Sequence, residues 1–393
     1  MPEVAAALPA ESEQFETDRV LTISAGHAVH DTYTGFLPPL LPAFIEAFSL
    51  TKTEAGLLSV FNQIPSLLQP FIGHLADRLS MRYFVILAPG VTATAMSLLG
   101  IAPSYAVLAL LLMVSGLSSA ALHSVAPVMA GRLSGKSLGL GMGFWMLGGE
   151  MGRFLGPLVV ALYFRWEPDS LARLPLLMIG GWLASLLLYW RLRGVAGRPE
   201  NAGQGLPWRQ AVRIMGPFLL PLVGVVLVRS FMSAALTTYL PTFLTQEGAN
   251  FWRAGASLSV LEAAGMVGAM AGGSVSDWLG RRRVLLISLV TTSLFMFLFL
   301  SVSGWVRFPA LLVLGLTALS VTPVLMAVVQ ESAPDNRALA NGTFMALSFC
   351  IRAGVVVVVG VLGDLFGLRL AFALSALMPL LGVPFVFLLP EKG

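Results

Sequence analysis

The residues of this sequence that could do chemistry are ionisable side chains set inside long apolar runs. Asp31 follows His27 by four positions and His30 by one, so His27 and Asp31 share one helical face. A carboxylate among imidazoles suits proton binding and release, with His27 or His30 tuning Asp31; the alternative is a fixed interhelical hydrogen-bond set. Glu150 precedes Arg153 by three residues, so the two can pair along a helix, as a static ion pair or as one that breaks when the helix moves. Arg229 is a cation that does not lose its proton. Either it pairs with an acid, for which Asp31 is the candidate, or it attracts an anionic group of a substrate. Arg352 and Glu262 pose the same choice, and here a structural Glu262–Arg352 pair is the preferred reading. His123 stands alone on a largely apolar face, the usual setting of a packing residue. Asn62 and Gln69 are candidates to line a path. Tyr33, with Phe36, Phe144, Trp145 and Phe231, could offer apolar surface to a drug-like molecule, although aromatics in such runs mostly pack.

Other chemistries find little support. There is no H-E-x-x-H sequence, and no nucleophile and base stand together with a supporting constellation. No His, Cys and acid cluster has the spacing of a structural metal site, so neither metal nor cofactor is expected. The single cysteine, Cys350, excludes a disulfide framework and is read as packing. The net charge of +4 is dispersed over short loops, which argues against nucleic acid as a partner.

The elements that must hold these residues follow from composition. Of 393 residues 56% are hydrophobic and only 11% charged, against about 25% charged in a soluble domain. Mean hydropathy is +0.83. About 20 apolar residues span a bilayer core as a helix. Twelve such runs can be traced, over 20–45, 53–76, 83–102, 105–131, 138–164, 173–192, 214–244, 253–277, 284–304, 308–331, 338–362 and 370–389. The spacing predicts an all-α membrane protein of twelve transmembrane helices in two six-helix halves. Residues 1–19 form a polar, acidic cytoplasmic tail, 20–192 the first half, 193–213 a basic linker, and 214–393 the second half. With the N-terminus inside, fifteen loop Lys and Arg fall on the cytoplasmic side and six on the other, the expected bias. Both termini are then cytoplasmic in an inner (plasma) membrane.

The halves also repeat one another. Gly73, Asp77, Arg78 and Arg82 follow the second span, and Gly273, Asp277, Gly280 and Arg281 follow the eighth, at an offset of about 200 that also relates Leu41-Pro42 to Leu240-Pro241 and Arg153 to Arg352. Glycine permits close helix approach, and the aspartate can pair with arginine, so such loops could lock one face of the molecule and release it. The alternative is a basic turn that only fixes topology.

Both loops resemble the signature loop of the major facilitator superfamily, G-x-L-x-D-R-x-G-R-[KR], departing from it at Ser80 and at Trp278. Gly152, Gly156 and Pro157 resemble the G-x-x-x-G-P motif of its antiporters. Three segments, His27 to Pro38, Leu68 to Gly73, and Arg229-Ser230 with Tyr239-Leu240-Pro241, are similar to the fosmidomycin-resistance group of drug exporters. Where that group has F-H-P-E-G, this chain has Leu122-His123-Ser124-Val125-Ala126. The resemblance implies that spans 1, 4, 7 and 10 line a central cavity. It also implies proton-coupled efflux, by alternating access, of a small drug-like or anionic molecule. Proton-coupled uptake of an organic anion or metabolite is the alternative, and a sensor or channel the reading from another class. The expected partners are the lipid bilayer, protons and a small-molecule substrate, and the chain is read as a monomer.

Overall fold

The computed structural model describes residues 14–69, 71–72, 81–168, 170–195, 208–332 and 337–390. No strand occurs among them. The first half contains α1 (Thr17–Thr34), α2 (Leu37–Phe48), α3 (Lys52–Gln63), α4 (Met81–Leu98), α5 (Tyr105–Leu133), α6 (Leu138–Trp166) and α7 (Met178–Leu192). The second contains α8 (Trp208–Ala234), α9 (Leu240–Gln246), α10 (Phe251–Leu279), α11 (Arg281–Ser301), α12 (Arg307–Ser332), α13 (Arg337–Phe366), α14 (Leu368–Leu381) and α15 (Val383–Leu388).

Nine helical segments among the described residues are long and apolar enough to cross a bilayer. The other three expected runs fall on α1–α2, α3 and α6: α2 and α3 are each only 12 residues long, and in α1 and α6 polar residues and glycine lower the apolar content. These are the helices that carry Asp31, Asn62, Glu150 and Arg153. The run over 20–45 is divided in two, because Gly35, Pro38, Pro39 and Pro42 interrupt the backbone ladder between and within α1 and α2. Its counterpart in the second half has a π-turn at Ala235–Tyr239 ahead of Pro241, a local widening that frequently marks functional positions.

Helix starts follow side-chain capping. Thr51 and Glu54 form a reciprocal capping box at α3. Ser104 caps α5 and Asn250 caps α10. Gly280, at φ 91° and ψ 140°, ends α10 and opens α11 in a backbone region closed to residues with a Cβ.

Within the first half α1 packs on α6, and α4 on both α5 and α7; within the second, α10 packs on α12, and α13 on both α8 and α14. The halves meet through α6 against α10 and α3 against α13, which are equivalent pairs under the sequence repeat. Four apolar cores result, two in each half. Arg191 at the end of α7 lies 4.0 Å from Asp18 at the start of α1, and Arg282 bonds the carbonyls of Phe387 and Leu389. The start of α1 and the end of α15 lie at one face, here termed the terminal face.

At the opposite face the halves are tied together. The Asp364 carboxylate accepts from the Lys52 and Thr53 backbone N–H at 2.7 and 2.9 Å and from Thr53 Oγ1 at 2.6 Å. Tyr239 donates to the Lys52 and Val356 carbonyls at 3.0 and 2.9 Å. The Phe164 and Phe251 rings meet at 4.9 Å. A cleft of about 610 Å³ opens beside these contacts, lined by Glu46, Phe164, Arg165, Asn250, Phe251 and Trp252 among others. It holds none of the buried charges discussed below.

Candidate functional site

The first cluster is built by α1, α5 and α6. Glycines of α6 let α1 approach to backbone contact: a Cβ on Gly148, Gly152 or Gly156 would strike the Ser24, Ala28 or Thr32 carbonyl respectively. This stripe, with period four, sets His27 and Asp31 against α6. The His27 ring stacks on Trp145 at 3.6 Å, and His27 Nδ1 lies 2.9 Å from the Trp145 carbonyl. His30 Nδ1 lies 2.9 Å from Asp31 Oδ1. His123 arrives from α5, with its Nδ1 2.9 Å from the Ser119 carbonyl. A carbonyl only accepts, so the hydrogen of each of His27 and His123 is assigned to Nδ1. Their Nε2 atoms face one another at 3.2 Å. Asp31 Oδ2 is 3.2 Å from His27 Nε2, and Asp31 Oδ1 is 3.9 Å from His123 Nε2.

His123 is thus not the packing residue that its apolar surroundings suggest. Its partner lies 96 residues away on another helix, and no local spacing could expose that. For the same reason a three-residue His27, Asp31, His123 group, whose donor atoms lie within 4.8 Å of one another, escapes a search for metal-ligand spacing.

The second cluster lies between the halves. Glu150 pairs with Arg153 on α6, as their spacing predicts. Arg153 is also the electrostatic neighbour of Glu262 on α10, and Glu262 of Arg352 on α13. Glu262 is only 8% exposed, yet forms no ion pair within 4 Å among the described residues, Arg352 included. Arg352 instead donates to Thr237 Oγ1 at 3.0 Å. Arg229 donates to Thr322 Oγ1 at 2.7 Å, and Asp31, its suggested partner, is occupied by imidazoles. The Nε atoms of Arg229 and Arg352 are buried and unpaired. The expected Glu262–Arg352 contact is therefore replaced by a looser row, Glu150–Arg153, then Glu262, then Arg352, with Arg229 nearby. Thr237 and Thr322, which sequence reasoning missed, carry no charge and had no spacing to single them out.

The remaining predicted residues divide. The Tyr33 hydroxyl donates to the Leu177 carbonyl at 2.5 Å and the side chain is buried, so Tyr33 fastens α1 to the segment before α7 and is not a binding-surface residue. Asn62 has a buried, unpaired Oδ1. Gln69 meets Ser124 through its backbone carbonyl at 3.1 Å. In the second signature loop Arg281 pairs with Asp277 and with Glu331 of α12 at 3.1 Å and bonds the Gly273 carbonyl. These contacts are a clamp inside one half. Arg82 donates to the carbonyl of Arg193, the first residue of the linker, at 2.6 Å. Gly73, Asp77 and Arg78 lie outside the described residues. Cys350 is exposed on α13, where its apolar sequence context suggests packing. Gly135 to Gly139 spells G-x-S-x-G, but Gly135–Ser137 is a short turn between α5 and α6, without the strand-to-helix elbow that activates such a serine.

A family model described as Major Facilitator Superfamily matches residues 23–351 and 267–393. The chain is 24% identical over 376 residues to the fosmidomycin resistance protein of Escherichia coli (strain K12), covering 93% of this chain and 91% of that one. It is 26% identical over 385 residues to the uncharacterized MFS-type transporter YfnC of Bacillus subtilis (strain 168), covering 95% and 92%. Among solved structures, a bacterial homolog of the human lysosomal transporter Spinster, inward-facing and unoccupied, superposes with TM-score 0.79 at 16% identity over 96% of this chain and 97% of that one. A variant of the nucleoside transporter NupG gives TM-score 0.75 at 16% identity over 95% and 100%.

Proposed function

The chain belongs to the major facilitator superfamily, and from that premise we propose that this membrane transporter exports a small organic anion by proton-coupled alternating access. One observation carries the reading: Arg229 and Arg352, from two helices of the second half, form no ion pair within 4 Å among the described residues, donate to threonine hydroxyls and leave buried Nε donors unpaired. Fixed cations at this depth cost about 2.5–3.5 kcal/mol each on insertion scales. A carboxylate, phosphate or phosphonate bridging them would offset that cost. Export is supported by the likeness to a fosmidomycin resistance protein. The halves are joined at the face opposite the termini, and the excess of Lys and Arg at the terminal face supports placing that face in the cytoplasm. This arrangement is the one from which an exporter loads.

Glu262 supports the proton coupling. It acts electrostatically on both Arg153 and Arg352, so protonating it would remove the carboxylate charge that Arg352 faces. The sign of this coupling favours a second reading. A proton on Glu262 makes the site more positive, so proton and anion bind together more readily than apart. A carrier coupled only in this way moves both in one direction, as a symporter for uptake does. Efflux requires instead that the carrier reorient with either ligand and not with both.

Reconstituted proteoliposomes with an internal pH dye separate the two. Phosphonate, phosphate-ester and carboxylate candidates are added to the side the terminal face contacts, against an opposing proton gradient. Substrate-dependent dissipation of the gradient, lost in Glu262→Gln, is expected of the exporter. Proton movement with the anion, in the same direction, would overturn efflux in favour of symport. Binding without either would remove proton coupling.

A further inference from the structure

We propose that His27, Asp31 and His123 form a three-donor site for one divalent d-block cation of the Zn2+, Co2+ or Ni2+ kind. The argument begins with where the lone pairs point. His27 Nδ1 and His123 Nδ1 each donate to a backbone carbonyl at 2.9 Å, which leaves both Nε2 atoms as bare acceptors in the neutral rings. Those acceptors face each other at 3.2 Å, and a carboxylate oxygen lies 3.2 Å from one of them. Three electron-pair donors converging on one point repel unless something electrophilic sits between them. They are therefore a poor static hydrogen-bond set and a good cation cage.

The dimensions select the cation. Bonds of about 2.05 Å around a tetrahedral Zn2+ place neighbouring donors about 3.3 Å apart. Here His27 Nε2 lies 3.2 Å from both His123 Nε2 and Asp31 Oδ2, and His123 Nε2 lies 3.9 Å from the other carboxylate oxygen, Oδ1. One donor atom from each residue falls within 4.8 Å of the other two, a set that small side-chain rotations bring to the tetrahedral spacing. Two imidazoles and one carboxylate suit Zn2+, Ni2+ and Co2+, whereas Mg2+ and Ca2+ require oxygen donors. Three protein donors leave the fourth position to water or a small anion. The side chain of His123 is 32% exposed against 5% for His27, so that position lies on the accessible side.

The outer contacts are those a metal site needs. Carbonyl acceptors fix the tautomer of both imidazoles, and His30 donates to Asp31 Oδ1 at 2.9 Å, turning Oδ2 toward His27. The Trp145 ring holds the plane of His27. Gly149 and Gly152 leave space that a Cβ would take from His27 and Asp31. His30 is a positioning residue in this scheme and touches no metal.

The site stands apart from the transport reading, and its test needs no flux. Untagged full-length protein in detergent is stripped with chelator, then titrated calorimetrically with ZnCl2 and followed optically with CoCl2. One Zn2+ per chain and a visible cobalt spectrum of four-coordinate intensity are expected. His123→Ala and Asp31→Asn should each weaken binding at least about 10-fold, the lower bound even for outer-contact residues. His30→Ala should weaken it about 10- to 100-fold, and His74→Ala should not. Because His123→Ala could misfold, His123→Cys is made as well. It should keep one metal per chain and add a thiolate-to-cobalt charge-transfer band. Absence of Zn2+ uptake at millimolar concentration, uptake indifferent to His123→Ala and Asp31→Asn, or a cysteine variant without that band would each overturn the proposal.

Discussion

Cations inside a membrane protein persist where something answers their charge. Arg153 is answered by Glu150 in direct contact and by Glu262 beyond it, whereas Arg229 meets one hydroxyl. The two should therefore respond in opposite ways to loss of charge. Arg153→Gln leaves two acids without their cation and should lower stability by about 1–3 kcal/mol. That is less than the 3–5 of a fully buried pair, since 47% of the Arg153 side chain is exposed. Arg229→Gln removes an uncompensated charge and should raise the melting temperature of the substrate-free protein while abolishing anion binding, a trade of function for stability. Thermal melts of both variants in one detergent check the pair of signs. The contrast also shows what one residue tells of its neighbours. Glu150 with Arg153, and Asp31 with His27 and His30, were legible because each set lies on one helix at spacings of one, three or four. His123, Thr237 and Thr322 were not, because each meets its partner across helices.

At the scale of elements, the site depends on how closely α1 lies against α6. Gly152 meets the Ala28 carbonyl and Asp31, while Gly143, on the same helix, has open space around it. Gly152→Ala should cost about 1–3 kcal/mol by overpacking and should displace Asp31. Gly143→Ala should be neutral or stabilise by up to about 1 kcal/mol, since alanine is the better helix former. Denaturation curves of the two variants test whether the stripe positions the cluster or merely reflects a glycine-rich helix. The stripe was readable as G-x-x-x-G-P, but its register against α1 was not, because periodicity names a face and not the neighbour it meets. The break between α1 and α2 was likewise hidden inside one apolar run.

A second element-scale device lies at the opposite face, after α9. Burial acts to raise the Glu247 carboxyl, but hydrogen bonds and charge from Arg307 and Arg369 hold it below its ordinary 4.5. Arg369 also donates to the Leu300 carbonyl at 2.5 Å, so these contacts join the end of α9 with α11, α12 and α14. A carboxyl depressed in the folded state contributes stability that is fully present above its unfolded value and is lost as pH falls through the folded one. Wild-type melting temperature should therefore fall below about pH 4.5, and Glu247→Gln should flatten that limb while leaving melting near neutral pH only slightly lowered. The effect is modest, because Glu247 is largely solvated and screened. An unchanged acid limb in the variant would remove Glu247 as its source.

For the whole molecule, the repeat relates helices and also the contacts between halves: α6 with α10 on one side, α3 with α13 on the other. Asp364 is the strongest polar tie among them. Its carboxylate receives two backbone N–H groups at the first turn of α3 and the Thr53 hydroxyl, which is an N-cap supplied from the other half. Lys52 Nζ adds a longer contact at 3.7 Å. If the halves rock about a central site, this cap must break each time the opposite face opens. Asp364→Ala should then favour the open form by about 1–3 kcal/mol, a shift of about 5- to 150-fold in the equilibrium. Lys52→Ala should change little, because its backbone N–H still reaches Asp364. Spin labels at Glu46→Cys and Asn250→Cys, across the cleft at this face and in a Cys350→Ser background, report the separation directly. A longer population in Asp364→Ala and not in Lys52→Ala identifies the cap as the lock. Equal distributions in all three backgrounds would shift the hold to Tyr239 and the apolar Phe164–Phe251 contact. Tyr239→Phe would then open what Asp364→Ala did not.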